Sequence, residues 1–148
     1  MVVVLLFLLG LGVWGADKGG KVEYVGGTVD NLKTGTDGAV LTNDPQTFVF
    51  RYKKSTLSIP YAKINLIEYG QKVGRQYAAA VLISPLFVIA KSRKHFLTVG
   101  YTDAEGRQQA LVLRVDKDDI RPVLVSLEAR TGLKIHYQDE EARKAGRG

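Results

Sequence analysis

Between residues 47 and 53 apolar and polar side chains take turns, with Phe48, Phe50 and Tyr52 on one side of an extended chain and Thr47, Arg51 and Lys53 on the other. Successive residues of a strand point to opposite faces, so this pattern predicts a half-buried antiparallel strand. The same period of two links Leu97, Val99 and Tyr101, and then Leu111, Leu113 and Val115, around a turn at residues 103–106. That pair predicts a hairpin. Leu57 and Ile59 begin a further strand, which Pro60 confines to an edge or an end. Residues 21–28, carrying Val22 and Tyr24, predict a strand that bends or bulges at Gly26 and Gly27. Residues 39–42 form a short strand between turn chemistry at 31–38 and at 43–45. Tyr61, Ile64 and Ile67 recur at three, which fits either one helical turn or an irregular entry into a strand.

The period changes after the hairpin. Ile120, Val123, Leu124 and Leu127 stand at the i, i+3, i+4, i+7 spacing of an amphipathic helix. Asp116, Asp118 and Asp119 supply cap candidates, Pro122 is tolerable within the first turn, and Gly132 is placed to stop the helix. Six to seven strands and one C-terminal amphipathic helix predict a mostly β, α+β fold. Residues 138–148 are charged and small, without an apolar anchor, and are expected to be a flexible tail.

A chain of 148 residues with 45% apolar content supports one domain with its own core. Its expected limits are residues 21–137, behind a signal peptide at 1–15 and a linker at 16–20. Residues 2–9 are apolar without interruption, and Val13 and Gly15 occupy the −3 and −1 positions of a signal-peptidase site before Ala16. The run is shorter than the ~20 residues a spanning helix requires. A cleaved signal is the first reading, an uncleaved anchor the second and a buried first strand the third. Either of the first two places the domain outside the cytoplasm, in the periplasm or secreted. The chain has no cysteine, which excludes a lipidated-cysteine anchor, thiol catalysis and thiolate metal sites.

Residues 78–90 contain no charge, with Pro85 near the middle, Arg75 before them and Lys91, Arg93, Lys94 and His95 directly after. Thirteen residues with a central proline cannot cross a bilayer as a helix. Three readings stay open: an element packed on the domain, an interfacial loop dipping among lipid tails, and a partner or homomeric patch. The candidate contact residues are Arg75, Val81, Leu82, Ile83, Leu86, Phe87, Val88, Ile89, Lys91, Arg93 and Lys94. Cations there would meet anionic headgroups.

Catalytic chemistry finds little support. His95 and His136 have no spacing that gathers Asp103 or Glu105 around a metal, and Ser84 and Ser126 lack a nucleophile-elbow pattern. Gly70 and Gly74 do not form a phosphate-binding loop, and Asp139, Glu140 and Glu141 read as a solvated acidic run. The net charge of +6 fits anionic partners in general, but export argues against nucleic acid. No enzyme activity, cofactor or metal is expected; an anionic membrane surface or a protein is the expected partner.

Short antiparallel strands closed by one C-terminal helix resemble the pleckstrin-homology-like domains, including the GRAM and bacterial PH-like groups. LSIPYAKINLIEYG, from residue 57 to 70, is similar to the segment of those domains where a strand runs through an Ile-Pro-Tyr turn into an Ile-x-x-Ile/Val-Glu step. YAKINLIEYGQKVGR followed by an apolar stretch also resembles small exported bacterial proteins of unknown function. The resemblance spans about residues 21–135 and implies a partly open antiparallel barrel, with no activity attached. Inositol-phosphate recognition in the family uses basic residues in the first inter-strand loop, whereas residues 30–38 here offer only Lys33 against Asp30 and Asp37.

Overall fold

The structure is a computed structural model and describes residues 19–71 and 94–147. Four strands, β1 (Gly20–Gly27), β2 (Asp37–Leu41), β3 (Thr47–Tyr52) and β4 (Ser55–Pro60), follow one another as an antiparallel meander. One 3-10 turn at Tyr61–Lys63 leads into β5 (Ile64–Gly70), so the threefold spacing of Tyr61, Ile64 and Ile67 resolves as a helical turn followed by a strand. The hairpin of β6 (His95–Thr102) and β7 (Gln108–Val115) comes next, then α1 (Ile120–Thr131), β8 (His136–Tyr137) and α2 (Glu140–Arg147).

All eight strands belong to one sheet in the order β4-β3-β2-β1-β7-β6-β5-β8. The mostly β character and the C-terminal helix agree with the sequence. Two details differ. An eighth strand is added by β8, which pairs parallel to β5 where an antiparallel architecture was expected. The sheet is open, with β4 and β8 as its edges.

Side chains on one face of the curled sheet build the core. Phe48 and Phe50 of β3 have no exposed surface, and Tyr24, Ile67, Tyr69, Leu97, Val99, Leu111 and Leu113 join them in a single buried cluster. Each such side chain removed from water contributes about 1.5–3 kcal/mol before conformational entropy is set against it. The α1 stripe of Ile120, Val123, Leu124 and Leu127 belongs to the same cluster. Gly132 stops α1 in the left-handed conformation, φ 72°, donating its N–H to the Glu128 carbonyl at 2.9 Å. Asp119 precedes the helix without a side-chain cap bond; its carboxylate instead accepts the Lys21 backbone N–H at 2.9 Å and ties α1 to the start of β1.

The chain behind Tyr137 is not frayed over its described length. Asp139 accepts the Ala142 N–H at 2.7 Å and starts α2. Ala142 is fully buried in the core cluster, and Gly146 sits so close to Tyr137 that a Cβ would lie 2.7 Å from its ring. Small residues anchor this helix where the sequence shows no large apolar ones.

Candidate functional site

Strand register brings several chain ends together. Val22, near the start of β1, pairs with Val115 at the end of β7, and Val115 pairs with His95 at the start of β6. Gly70, the last residue of β5, pairs with Phe96. Neighbouring strands lie about 4.8 Å apart, so the start of β1, the end of β7, the start of β6 and the end of β5 form one end of the sheet about 15 Å across. The chain enters the described region at Gly19, leaves it at Gln71 and re-enters at Lys94, all at this end. Both long apolar stretches of the sequence therefore attach to the domain here.

At that end a cleft of about 420 Å³ is lined by Lys21, Lys94, Arg114 and Lys117 together with Glu23, Asp37 and Asp116. Arg114 is ion-paired with Glu23 across the β1–β7 ladder, neutralising one carboxylate. Lys94 and Lys117 have no ion pair among the described residues, leaving their ammonium groups available to an anionic surface. His95 lines the cleft and turns its ring to the core, where Nδ1 is 2.5 Å from the Tyr69 hydroxyl. Burial, and then the nearby Arg121 charge, push the His95 pKa below its usual value. This imidazole is a packed, neutral group rather than part of the cationic rim.

The face of β1, β7, β6 and β5 turned away from the core continues from this cleft. Its centre is apolar: Val25, Phe96, Ala110 and Val112 are buried but take no part in the core cluster, and Thr98 beside them is 2% exposed. The Glu23–Arg114 ion pair bounds it at the cleft end, and a two-way hydrogen bond between Asn65 and Gln108, at 2.7 and 3.1 Å, bounds it at the other. Reading alternate residues of β7 selected Leu111, Leu113 and Val115 and passed over Ala110 and Val112. The continuous run from 110 to 113 was the signal that both faces of this strand are covered.

Of the candidate contact residues, Lys94 is in the cleft; Arg75, Val81, Leu82, Ile83, Leu86, Phe87, Val88, Ile89, Lys91 and Arg93 lie outside the described residues, as does the expected signal peptide. His136 is in β8 at the far side of β5 from His95, and Asp103 and Glu105 occupy the β6–β7 turn. Among the described residues no three metal-ligating side chains converge. Asp103 is committed to its turn: one oxygen accepts the N–H groups of Glu105 and Arg107 and the other accepts from the Arg107 guanidinium and the Gln109 amide, at 2.8 to 3.0 Å. A second open depression, about 630 Å³, lies between the β4 edge at Leu57 and Ile59, Lys63 and that turn. No described helix is long and apolar enough to cross a membrane.

Comparison with protein-family models matches no family, and comparison with curated proteins finds no match.

Proposed function

We propose that the chain is an exported, non-enzymatic binding module with a pleckstrin-homology-like, partly open barrel, held at an anionic membrane surface by the end of its sheet. The observation carrying this reading is the joint attachment of both apolar stretches at the end where Lys21, Lys94, Arg114 and Lys117 line one cleft. Apolar segment and cations then reach a bilayer from the same side, the arrangement used by interfacial proteins. The antiparallel strand series ending in a helix supports the family resemblance.

The test is co-sedimentation of the full chain with vesicles of mixed neutral and anionic lipid across a salt series. Each basic residue near such a surface contributes about 1 kcal/mol, so replacing Lys91, Arg93 and Lys94 together by Glu should weaken binding by at least about 100-fold at low salt. Binding that ignores both salt and these replacements, or no binding, overturns the reading. A second reading is a homomeric or partner-binding module whose interface takes up the uncharged residues 78–90; light scattering behind size exclusion across concentrations separates it from the first.

A further inference from the structure

At the end of the sheet away from the cleft, β6 finishes, β7 starts, and the chain leaves β1 and enters β5. In the strand order β4 lies five places from β6, about 24 Å in a flat sheet, yet Leu57 and Ile59 of β4 line one depression of about 630 Å³ with Tyr101 of β6 and Asp103 of its turn. The curl of the sheet brings them together. Small molecules are held in pockets of about 300–1,000 Å³ that join an apolar lining to a few placed polar groups. Here the apolar part is Leu57, Ile59 and Val29, and the polar part starts from Tyr101. The Tyr101 ring belongs to the core cluster and 8% of the residue is exposed, but its hydroxyl has no hydrogen-bond partner among the described residues. The one enclosed, unpartnered side-chain polar atom among those residues is the Tyr61 hydroxyl, so that of Tyr101 opens outward, onto the depression it lines. Burial, and then the Asp103 charge, raise its pKa, which keeps the phenol protonated and a donor. Asp103 does not take that proton, because its two oxygens already accept four hydrogen bonds.

We infer that this depression is a binding site for a small amphiphilic monocarboxylate, its apolar body on Leu57, Ile59 and Val29 and its carboxylate accepting from the Tyr101 hydroxyl and the Lys63 ammonium. The register sets the two donors side by side, since Tyr101 pairs with Ile64, the residue after Lys63. Lys63 lines the depression and has no ion pair among the described residues. A carboxylate between a phenol and an ammonium makes charge-assisted hydrogen bonds, about twice as strong as neutral ones. One negative charge fits here and a phosphate dianion does not. The Arg107 guanidinium is engaged by Asp103 and Glu105, which leaves Lys63 as the free cation among the described lining residues. Asp30, on the loop after β1, adds a negative charge on the side away from Lys63, which leads into β5. The apolar body would cover Leu57, a residue left half-buried on an edge strand. The site stands at the opposite end of the sheet from the cationic cleft and does not rest on the membrane reading.

Octanoate is the probe, and octanol, the same body without the charge, is its control; both are titrated into the full chain by calorimetry. Octanoate should bind saturably and at least about 10-fold more tightly than octanol. Tyr101→Phe keeps the ring and removes one donor, and Lys63→Met keeps the stem and removes the other. Each should weaken octanoate about 5–10-fold and leave octanol unchanged. Lys117→Met, in the cleft, should change neither. Lys63 is exposed, so Lys63→Met carries the test even where Tyr101→Phe perturbs the fold. Four outcomes overturn the inference. The first is no saturable binding of octanoate, and the second is equal affinity for octanoate and octanol. The third is binding lost in Lys117→Met but kept in Tyr101→Phe and Lys63→Met, which moves the carboxylate to the cleft. The fourth is a concentration-dependent dimer that Ser58→Arg dissociates, which assigns the depression to a second copy.

Discussion

The hydroxyl of Tyr69 lies 2.5 Å from Nδ1 of His95, with the two rings stacked at a centroid separation of 5.9 Å. Burial, followed by the Tyr137 hydroxyl, raises the Tyr69 pKa to about 12, so the phenol keeps its proton and, having no other acceptor among the described residues, donates it to a neutral imidazole.

Protonation of His95 removes that acceptor. Its folded-state pKa lies below its unfolded value, so between the two the unfolded chain binds more protons, and stability rises with pH there. Urea midpoints should be flat near pH 7.5 and fall as pH drops below about 6.5. Tyr69→Phe should cost about 0.5–1.5 kcal/mol at neutral pH by taking the hydroxyl donor from the half-buried His95 ring, measured by the same urea titration.

At the β6–β7 turn, desolvation opposes ionisation of Asp103, but the Arg107 backbone N–H, the Gln109 amide and the Arg107 guanidinium outweigh it and hold the pKa at about 2. A depressed carboxylate contributes stability above its unfolded pKa and loses it as pH falls toward the folded one. Thermal melts between pH 5 and pH 2 should show this loss, and Asp103→Asn should both lower Tm at neutral pH and flatten the acid limb.

Tyr61 provides a contrast. Its hydroxyl is buried and has no hydrogen-bond partner among the described residues, so folding takes it out of water without replacement. Tyr61→Phe keeps the ring and removes that cost; it should be neutral or stabilising by up to about 1 kcal/mol in chemical denaturation.

The seating of α2 is tested by Ala142→Glu. The Ala142 side chain is fully enclosed, so a longer, charged one forces α2 off the core at a cost of about 1–3 kcal/mol. Hydrogen exchange should then lose protection in α2 and β8 while β1, β6 and β7 keep theirs.

Strands whose one face meets the core were readable because their period survives in the sequence: Phe48 and Phe50 are fully buried as the alternation required, and α1 buries the four residues its spacing selected. The bulge expected at Gly26 and Gly27 falls between Tyr24 and Gly26 in the ladder. Gly38, read as turn chemistry, lies inside β2, where a Cβ would come within 2.4 Å of the Arg51 carbonyl; glycine serves there as a close contact between strands rather than as a turn. Neither β8 nor α2 left a pattern, since two residues have no period and α2 is anchored by Ala142 and Gly146. For the cleft, Lys94 was visible in the sequence, but its convergence with Lys21 and Lys117 depends on β1 pairing with β7, which no local window contains.

That pairing also sets an order of events in time. Glu23 meets Arg114 across 91 positions of chain, and Lys21 meets Asp119 across 98. Contacts this distant close slowly, and none can close before residue 114 has been made. At synthesis rates of about 5–20 residues per second, a nascent chain carries β1 without its β7 neighbour for several seconds. Throughout that interval the N-terminal strand has one open edge and the domain is incomplete.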